Sequence, residues 1–347
     1  MTGVMRQVVL RSHPKGNPTA EDFELQSAAP IPKAGEGEVL LRTLWLALDP
    51  LIRFTIDEVV LTGINKVKRG DVVYGPTVSE VVATNHPDFA IGDIVEGRTG
   101  WLEYAVANPK SLPLRKVDPT SAPSSTALGA LGMPGRTAHA AMITIGRVKA
   151  GENVVVSAAA GAVGSTAGQI GKILGARVVG IAGGPEKCKA LVELGFDACV
   201  DYKAADFAKQ LAAACPDGIN VYIENVGGAV TRTVLPLMKH GGRVIVCGAI
   251  AYYGMGLEGP GPDHMPGFMR LVMSRGLEIR GFATAMMNAQ AAFEDLAKWA
   301  REDKLHFPEA IVLGLEAAPA AFADVFRGNN YVGKLLVKVA EPSNAKS

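Results

Sequence analysis

The most chemically pointed residues lie in the segment Val154–Gln169, VVVSAAAGAVGSTAGQ. Gly161, Ala162, Val163 and Gly164 link an apolar run to a helix-length stretch. A turn of this kind aims backbone N–H groups and the positive end of a helix at one point, which suits a pyrophosphate. Gly161 is expected to allow the tight turn, Gly164 to let backbone touch phosphate, and Gly168 to let helix and sheet pack closely. Ala159 stands where the usual G-x-G-x-x-G fingerprint has its first glycine, so the motif is modified. Its context, strand before and helix after, carries the reading.

The next apolar run ends Gly180-Ile181-Ala182-Gly183-Gly184. A site for NAD would place Asp or Glu there to accept from the ribose 2′-OH. No carboxylate is present, and Lys187 lies in the first turn of the following helix, within reach of a 2′-phosphate. The expected cofactor is NADP(H).

Cys188, Cys199, Cys215 and Cys247 form no C-x-x-C pair, and no cysteine precedes position 188. The six histidines are scattered. Neither set has the spacing of a metal site, so no metal is expected. Reduced thiols, an amino terminus without a long apolar segment and the lack of a span of about 18 apolar residues suit a cytoplasmic protein off the membrane. The 35 basic and 34 acidic residues nearly balance, which argues against nucleic acid as a partner.

Two textures position these residues. Up to about Ser125, short β-branched runs (Val39–Leu48, Asp71–Gly75, Val78–Thr84) alternate with turns, as in a small β-barrel. From about Gly129, apolar runs alternate with helical segments, as in a parallel α/β sheet. Six strands are expected: Asn153–Ala159, Arg177–Ala182, Ala198–Tyr202, Asn220–Gly228, Arg243–Ile250 and Leu277–Phe282. Gln290–Asp303 reads as an amphipathic helix. Tyr331–Ala340 returns to strand texture and is expected to pair back onto the first domain.

Several motifs together resemble the medium-chain dehydrogenase/reductase superfamily, in its zinc-free branch of prostaglandin reductases, leukotriene dehydrogenases and alkenal double-bond reductases. They are LDPLIR (Leu48–Arg53), GALGMPGRTA (Gly129–Ala138), AAAGAVGS (Ala158–Ser165), ELGFDACVDYK, IENVGG, VCGAIAYY and RGNNYVGK. The likeness covers nearly the whole chain. It implies an α/β protein: a GroES-like β-barrel over residues 1–128 and 309–347, and a Rossmann-type doubly wound parallel sheet over 129–308.

The resemblance also implies roles. Gly161 to Gly164 would cradle the pyrophosphate, and Lys187 and Tyr202 would hold the 2′-phosphate. Asn225 would contact the ribose or nicotinamide side. Cys247, Gly248, Ala249 and Ile250 would pass beneath the dinucleotide, and Phe282, Ala283 and Thr284 would border the nicotinamide. Asn330 would reach in from the returning segment, with Asn329 hard to tell apart from it. Tyr253 matches the tyrosine placed over the substrate carbonyl, and the adjacent Tyr252 could take that role. Leu51 and Ile52 replace the Tyr and Met of the family's D-P-Y-M-R segment, which removes a hydroxyl near the pocket. Trp101 and Tyr74 are candidates for the pocket wall or the core.

The implied chemistry is NADPH-dependent reduction of the carbon–carbon double bond of an enone or enal. Hydride goes to the β-carbon, charge gathers on the carbonyl oxygen, and a proton reaches the α-carbon. A homodimer joined through the cofactor domains is expected. A quinone reductase, or a non-catalytic NADPH-binding protein resembling crystallins, are the alternatives.

Overall fold

The computed structural model describes residues 3–58, 66–120, 122–255, 261–283, 288–328 and 331–343. The chain divides into two compact units. One comprises residues 1–128, 309–329 and 335–347, and the other 129–308 with 330–334.

In the first unit, β1 (Val4–Leu10) and β2 (Phe23–Pro30) pair antiparallel. The strands β3 (Val39–Ala47), β4 (Thr77–Thr84), β5 (Ile94–Gly97), β6 (Tyr104–Ala107) and β7 (Arg115–Lys116) belong to a second sheet, with the short helix α1 (Ile52–Thr55) after β3. Val39, Leu41, Val81, Val95 and Ala107 form a buried cluster inside this sheet. Asp71–Gly75, expected as a strand, forms an isolated bridge between Val72 and Val9, flanked by backbone bonds from Leu10 N–H to Asp71 O (2.9 Å) and from Val73 N–H to Val8 O (3.0 Å). Gly75 lies so close to Trp101 that a Cβ would sit 2.9 Å from the indole ring.

The second unit opens with α2 (Met133–His139), whose Pro134 suits a first turn. There follow β8 (Asn153–Val156), α3 (Ala162–Ile173), β9 (Arg177–Ala182), α4 (Pro185–Glu193), β10 (Ala198–Asp201), α5 (Phe207–Ala214) and β11 (Ile219–Glu224). Then come α6 (Gly228–Val234), β12 (Met238–Val246), α7 (Met265–Arg275), β13 (Glu278–Gly281) and α8 (Ala289–Arg301). The six strands are parallel in the order β10-β9-β8-β11-β12-β13. This is the doubly wound order, with its switch point between β8 and β11. Val154, Val156, Val221 and Ile223 face one buried cluster, while Val155, Val179 and Tyr222 face another. Burial on both faces explains why β8 reads as a continuous apolar run rather than an alternation. The expected strands extend past several of the observed carboxyl ends, because the loop residues Ala159, Ala160 and Ile250 are apolar too.

The chain then returns to the first unit with β14 (Glu309–Leu313), α9 (Ala318–Arg327) and β15 (Lys334–Lys338). β15 lies between β14 and β3, antiparallel to β3, with Leu336 opposite Ala47.

Candidate active site

The glycine loop sits at the carboxyl end of β8. Gly161 caps the start of α3 at φ −81°, and its nearest contact for an added Cβ is Ala158 O at 3.3 Å. The left-handed residue of the turn is Ala158, at φ 45°. Gly164 is the tight position: a Cβ there would lie 2.4 Å from Ala158 O and 2.7 Å from Ala159 Cα. At Gly168 a Cβ would fall inside the Phe196 ring, 1.8 Å from Cζ. Backbone bonds hold the loop in place, from Ala159 N–H to Ile181 O (3.0 Å) and from Gly333 N–H to Ala160 O (2.7 Å). No side chain caps α3, and no acidic residue lies in its first turn. Its leading N–H groups at Ala162, Val163 and Gly164 and its positive end suit an anion.

At the end of β9, Gly184 has φ 95°, which only glycine adopts cheaply. Lys187 is half-buried on α4 and, among the described residues, no carboxylate is in salt-bridge contact with it. Burial, then the neighbouring Lys203 ammonium, hold its pKa below the ordinary lysine value. Tyr202 follows β10 and is exposed. Its ring lies against Gly183, where a Cβ would be 2.8 Å from Cε1.

At the ends of β11 and β12 the chain makes a dense polar node that sequence reasoning missed. The Glu224 carboxylate is buried and accepts from Ser157 Oγ (3.0 Å), Tyr222 Oη (3.0 Å), the Gly227 N–H (2.9 Å), the Val226 N–H and Thr231 Oγ1. Both oxygens are thus satisfied, as burial of a polar group requires. Asn225 donates its side-chain amide to Ser157 O at 2.8 Å and takes Ser157 Oγ on its backbone N–H at 2.9 Å. These bonds stitch the carboxyl ends of β8 and β11 together at the switch point. The node joins residues about 67 apart in sequence, so no local pattern signals it.

The Cys247 and Gly248 N–H groups both point to Glu224 O, at 2.8 and 3.2 Å. Burial and then Glu224 push the Cys247 thiol up to about 12, so it stays protonated. Ile250 N–H reaches Asn225 O at 3.2 Å. Tyr252 accepts the Gly228 N–H on its hydroxyl at 2.9 Å and covers Gly227, which makes it an anchor for that glycine turn. Tyr253 instead turns its hydroxyl over Gly248, 3.2 Å from where a Cβ would stand, and accepts from the Ala249 N–H. Burial raises its pKa above the ordinary 10.0.

Phe282 packs against the core cluster, and Ala283 is exposed. Thr284, Asn329 and Asn330 lie outside the described residues. In the first unit, Trp101 is fully buried and stacked on Phe23 with centroids 5.3 Å apart, which assigns it to the core. Tyr74 accepts a hydrogen bond from Arg98 at 2.7 Å. Leu51 is exposed and Ile52 buried. Among the described residues, no group of three or more His, Cys, Asp or Glu is placed to hold a metal. No described helix is long and apolar enough to cross a membrane.

The residues at the strand ends fit a 2′-phosphorylated dinucleotide: uncapped N–H groups at α3, a Cβ-free approach at Gly164, Lys187 in the first turn after β9, and the Tyr202 ring against Gly183. Comparison with known proteins agrees. Residues 6–114 match the family described as the N-terminal domain of oxidoreductase, and residues 162–302 that described as zinc-binding dehydrogenase. The chain is 45% identical over 340 residues to the NADPH-dependent curcumin reductase of Escherichia coli, covering 96% of this chain and 97% of that protein. It is 38% identical over 339 residues to prostaglandin reductase 1 of Rattus norvegicus, covering 95% and 97%. The crystal structure of CurA in complex with NADPH from Vibrio vulnificus superposes with a TM-score of 0.90 at 42% identity, covering 97% of this chain and 100% of that one. The chain therefore belongs to the medium-chain dehydrogenase/reductase superfamily, in its prostaglandin reductase-like branch.

Proposed function

We propose that this protein reduces the carbon–carbon double bond of α,β-unsaturated ketones and aldehydes. Its coarse activity is that of an NADP(H)-dependent oxidoreductase. The finer reading rests on relatives named as curcumin and prostaglandin reductases. Within the chain, one observation supports it: the Tyr253 hydroxyl lies over Gly248 just past the carboxyl end of β12, and burial raises its pKa.

Gly161, Ala162, Val163 and Gly164 would hold the pyrophosphate with backbone N–H groups, and Lys187 and Tyr202 the 2′-phosphate. Cys247, Gly248, Ala249 and Ile250 would line the floor, with Asn225 at the ribose. Phe282, Ala283, Thr284 and Asn330 would complete the nicotinamide side. The bound cofactor would supply hydride to the carbon β to the substrate carbonyl. Tyr253 would donate to the carbonyl oxygen as negative charge develops there, where a placed donor contributes most. A phenol that accepts one hydrogen bond can still donate another. Tyr253 or water would then deliver the proton to the α-carbon. The protein's own share is to orient substrate and hold the donor, while the cofactor carries the hard step.

We further propose a homodimer joined through β13, which ends the sheet with all four residues exposed. Met265, Met269 and Met273, four apart on α7, add exposed apolar surface. A panel of enones, enals and benzoquinones with NADPH consumption as readout tests the activity. Preferred turnover of enones and enals supports the reading. Preferred turnover of quinones assigns a quinone reductase, and no turnover with any of them leaves a binding protein.

A further inference from the structure

The basic residues around Gly183 extend beyond the lysine and tyrosine already assigned. β10 ends at Asp201, whose Oδ1 accepts two backbone N–H bonds, from Gly184 at 2.8 Å and from Lys203 at 2.9 Å. That clamp folds residues 201–203 back onto the end of β9. As a result, two side chains close on Gly183. A Cβ at Gly183 would lie 2.8 Å from the Tyr202 ring and 3.0 Å from Lys203 Cε. The aliphatic stem of Lys203 therefore runs along the glycine, on the strand end where the 2′-phosphate reading puts its ligand.

Among the described residues, no carboxylate is in salt-bridge contact with Lys203 or with Lys187. Their ammonium groups are near enough that Lys203 helps to lower the Lys187 pKa. Asp201 is the nearest acid in sequence and feels the Lys203 charge, but its Oδ1 is committed to backbone. The two neighbouring ammonium groups repel each other, and a dianion between them would relieve that repulsion. Glycine at 183 is what lets the Tyr202 ring and the Lys203 stem come this close to the end of β9.

We propose that Lys203 is a second cationic ligand for the 2′-phosphate of the adenosine ribose, closing with Lys187 and Tyr202 a three-sided seat around Gly183. The proposal rests on the NADP(H) reading above. It makes Lys203 a specificity residue that distinguishes the phosphorylated cofactor from NADH without touching the reacting atoms.

Equilibrium binding by calorimetry to NADPH, NADH and adenosine 2′,5′-bisphosphate tests it, using the full-length protein, Lys187→Ala, Lys203→Met and Lys203→Arg. Lys203→Met is expected to weaken NADPH and the bisphosphate about tenfold, the scale of one exposed charge-assisted contact. NADH should change less than about twofold, which also shows that the fold is intact. Lys203→Arg should restore most of the loss. If the unmutated protein binds NADPH and NADH equally, the NADP(H) reading fails and this proposal with it. If it prefers NADPH, and Lys187→Ala loses that preference while Lys203→Met keeps it, the proposal alone is overturned. Equal weakening of both cofactors by Lys203→Met would also overturn it, since that would be a loss of local structure.

Discussion

Replacing Gly164 by alanine isolates the geometry of the phosphate loop from its flexibility. The new Cβ would stand 2.4 Å from Ala158 O and 2.7 Å from Ala159 Cα. Ordinary contact begins near 3.4 Å, so the loop must retreat by about 1 Å. Both obstacles are backbone and cannot rotate away like a side chain. Overpacking of this kind costs about 1–3 kcal/mol. Alanine returns about 1 kcal/mol of helix propensity inside α3. The net loss is at most about 2 kcal/mol, or a Tm lower by up to roughly 8 °C for a unit of this size. A 1 Å displacement of the α3 N–H groups should also weaken NADPH by about tenfold or more. Thermal scans without cofactor and fluorescence titration with NADPH measure the two effects. Gly161→Ala is the control: its Cβ would meet Ala158 O at a tolerable 3.3 Å, and it should retain most of both properties. If Gly164→Ala keeps wild-type Tm and affinity while Gly161→Ala loses them, the steric reasoning is wrong.

Three further outcomes follow from the same structure. Tyr253→Phe should lower kcat on enones by up to about 10²-fold, with NADPH affinity unchanged. The competent form of Tyr253 is the protonated one and its pKa is raised, so its contribution should be full at neutral pH and decline only above pH 10; a kcat profile limited by a group titrating near 7 would contradict this. Light scattering at micromolar concentration should give the mass of two chains, falling toward one when a proline at Ile279 interrupts the exposed β13 edge; a single-chain mass for the unmutated protein refutes the dimer. Metal analysis should find no stoichiometric zinc, and chelation should leave activity intact; activity lost to a chelator and restored by zinc would overturn that expectation.

Much of the second unit was legible in the sequence because its signals are local. β8, β9, β10 and β11 are apolar runs separated by helix-length segments, and doubly buried strands have little else they can be. The loop glycines were legible as a set, but not the particular atoms each makes room for. Gly164 and Gly168 are dictated by what lies across from them, Ala158 O and the Phe196 ring, which the sequence does not place. The left-handed residue of the turn is an alanine, which no residue-type rule selects. Glu224 and Lys203 went unnoticed for a related reason. Glu224 has meaning only once Ser157 lies beside it across the β8–β11 switch. Lys203 gains a role only when the Asp201 clamp folds it onto Gly183. Asp71–Gly75 was legible as extended chain that pairs with β1, but not that the pairing would stop at one bridge.

The central claim is that hydride reaches the carbon β to a carbonyl. Incubating the protein with a simple enone and NADPH deuterated at the transferring position of the nicotinamide, and locating the label by NMR, tests it directly. The account predicts a saturated ketone with deuterium on the β-carbon and none on the carbonyl carbon. An allylic alcohol with deuterium on the carbinol carbon would contradict it.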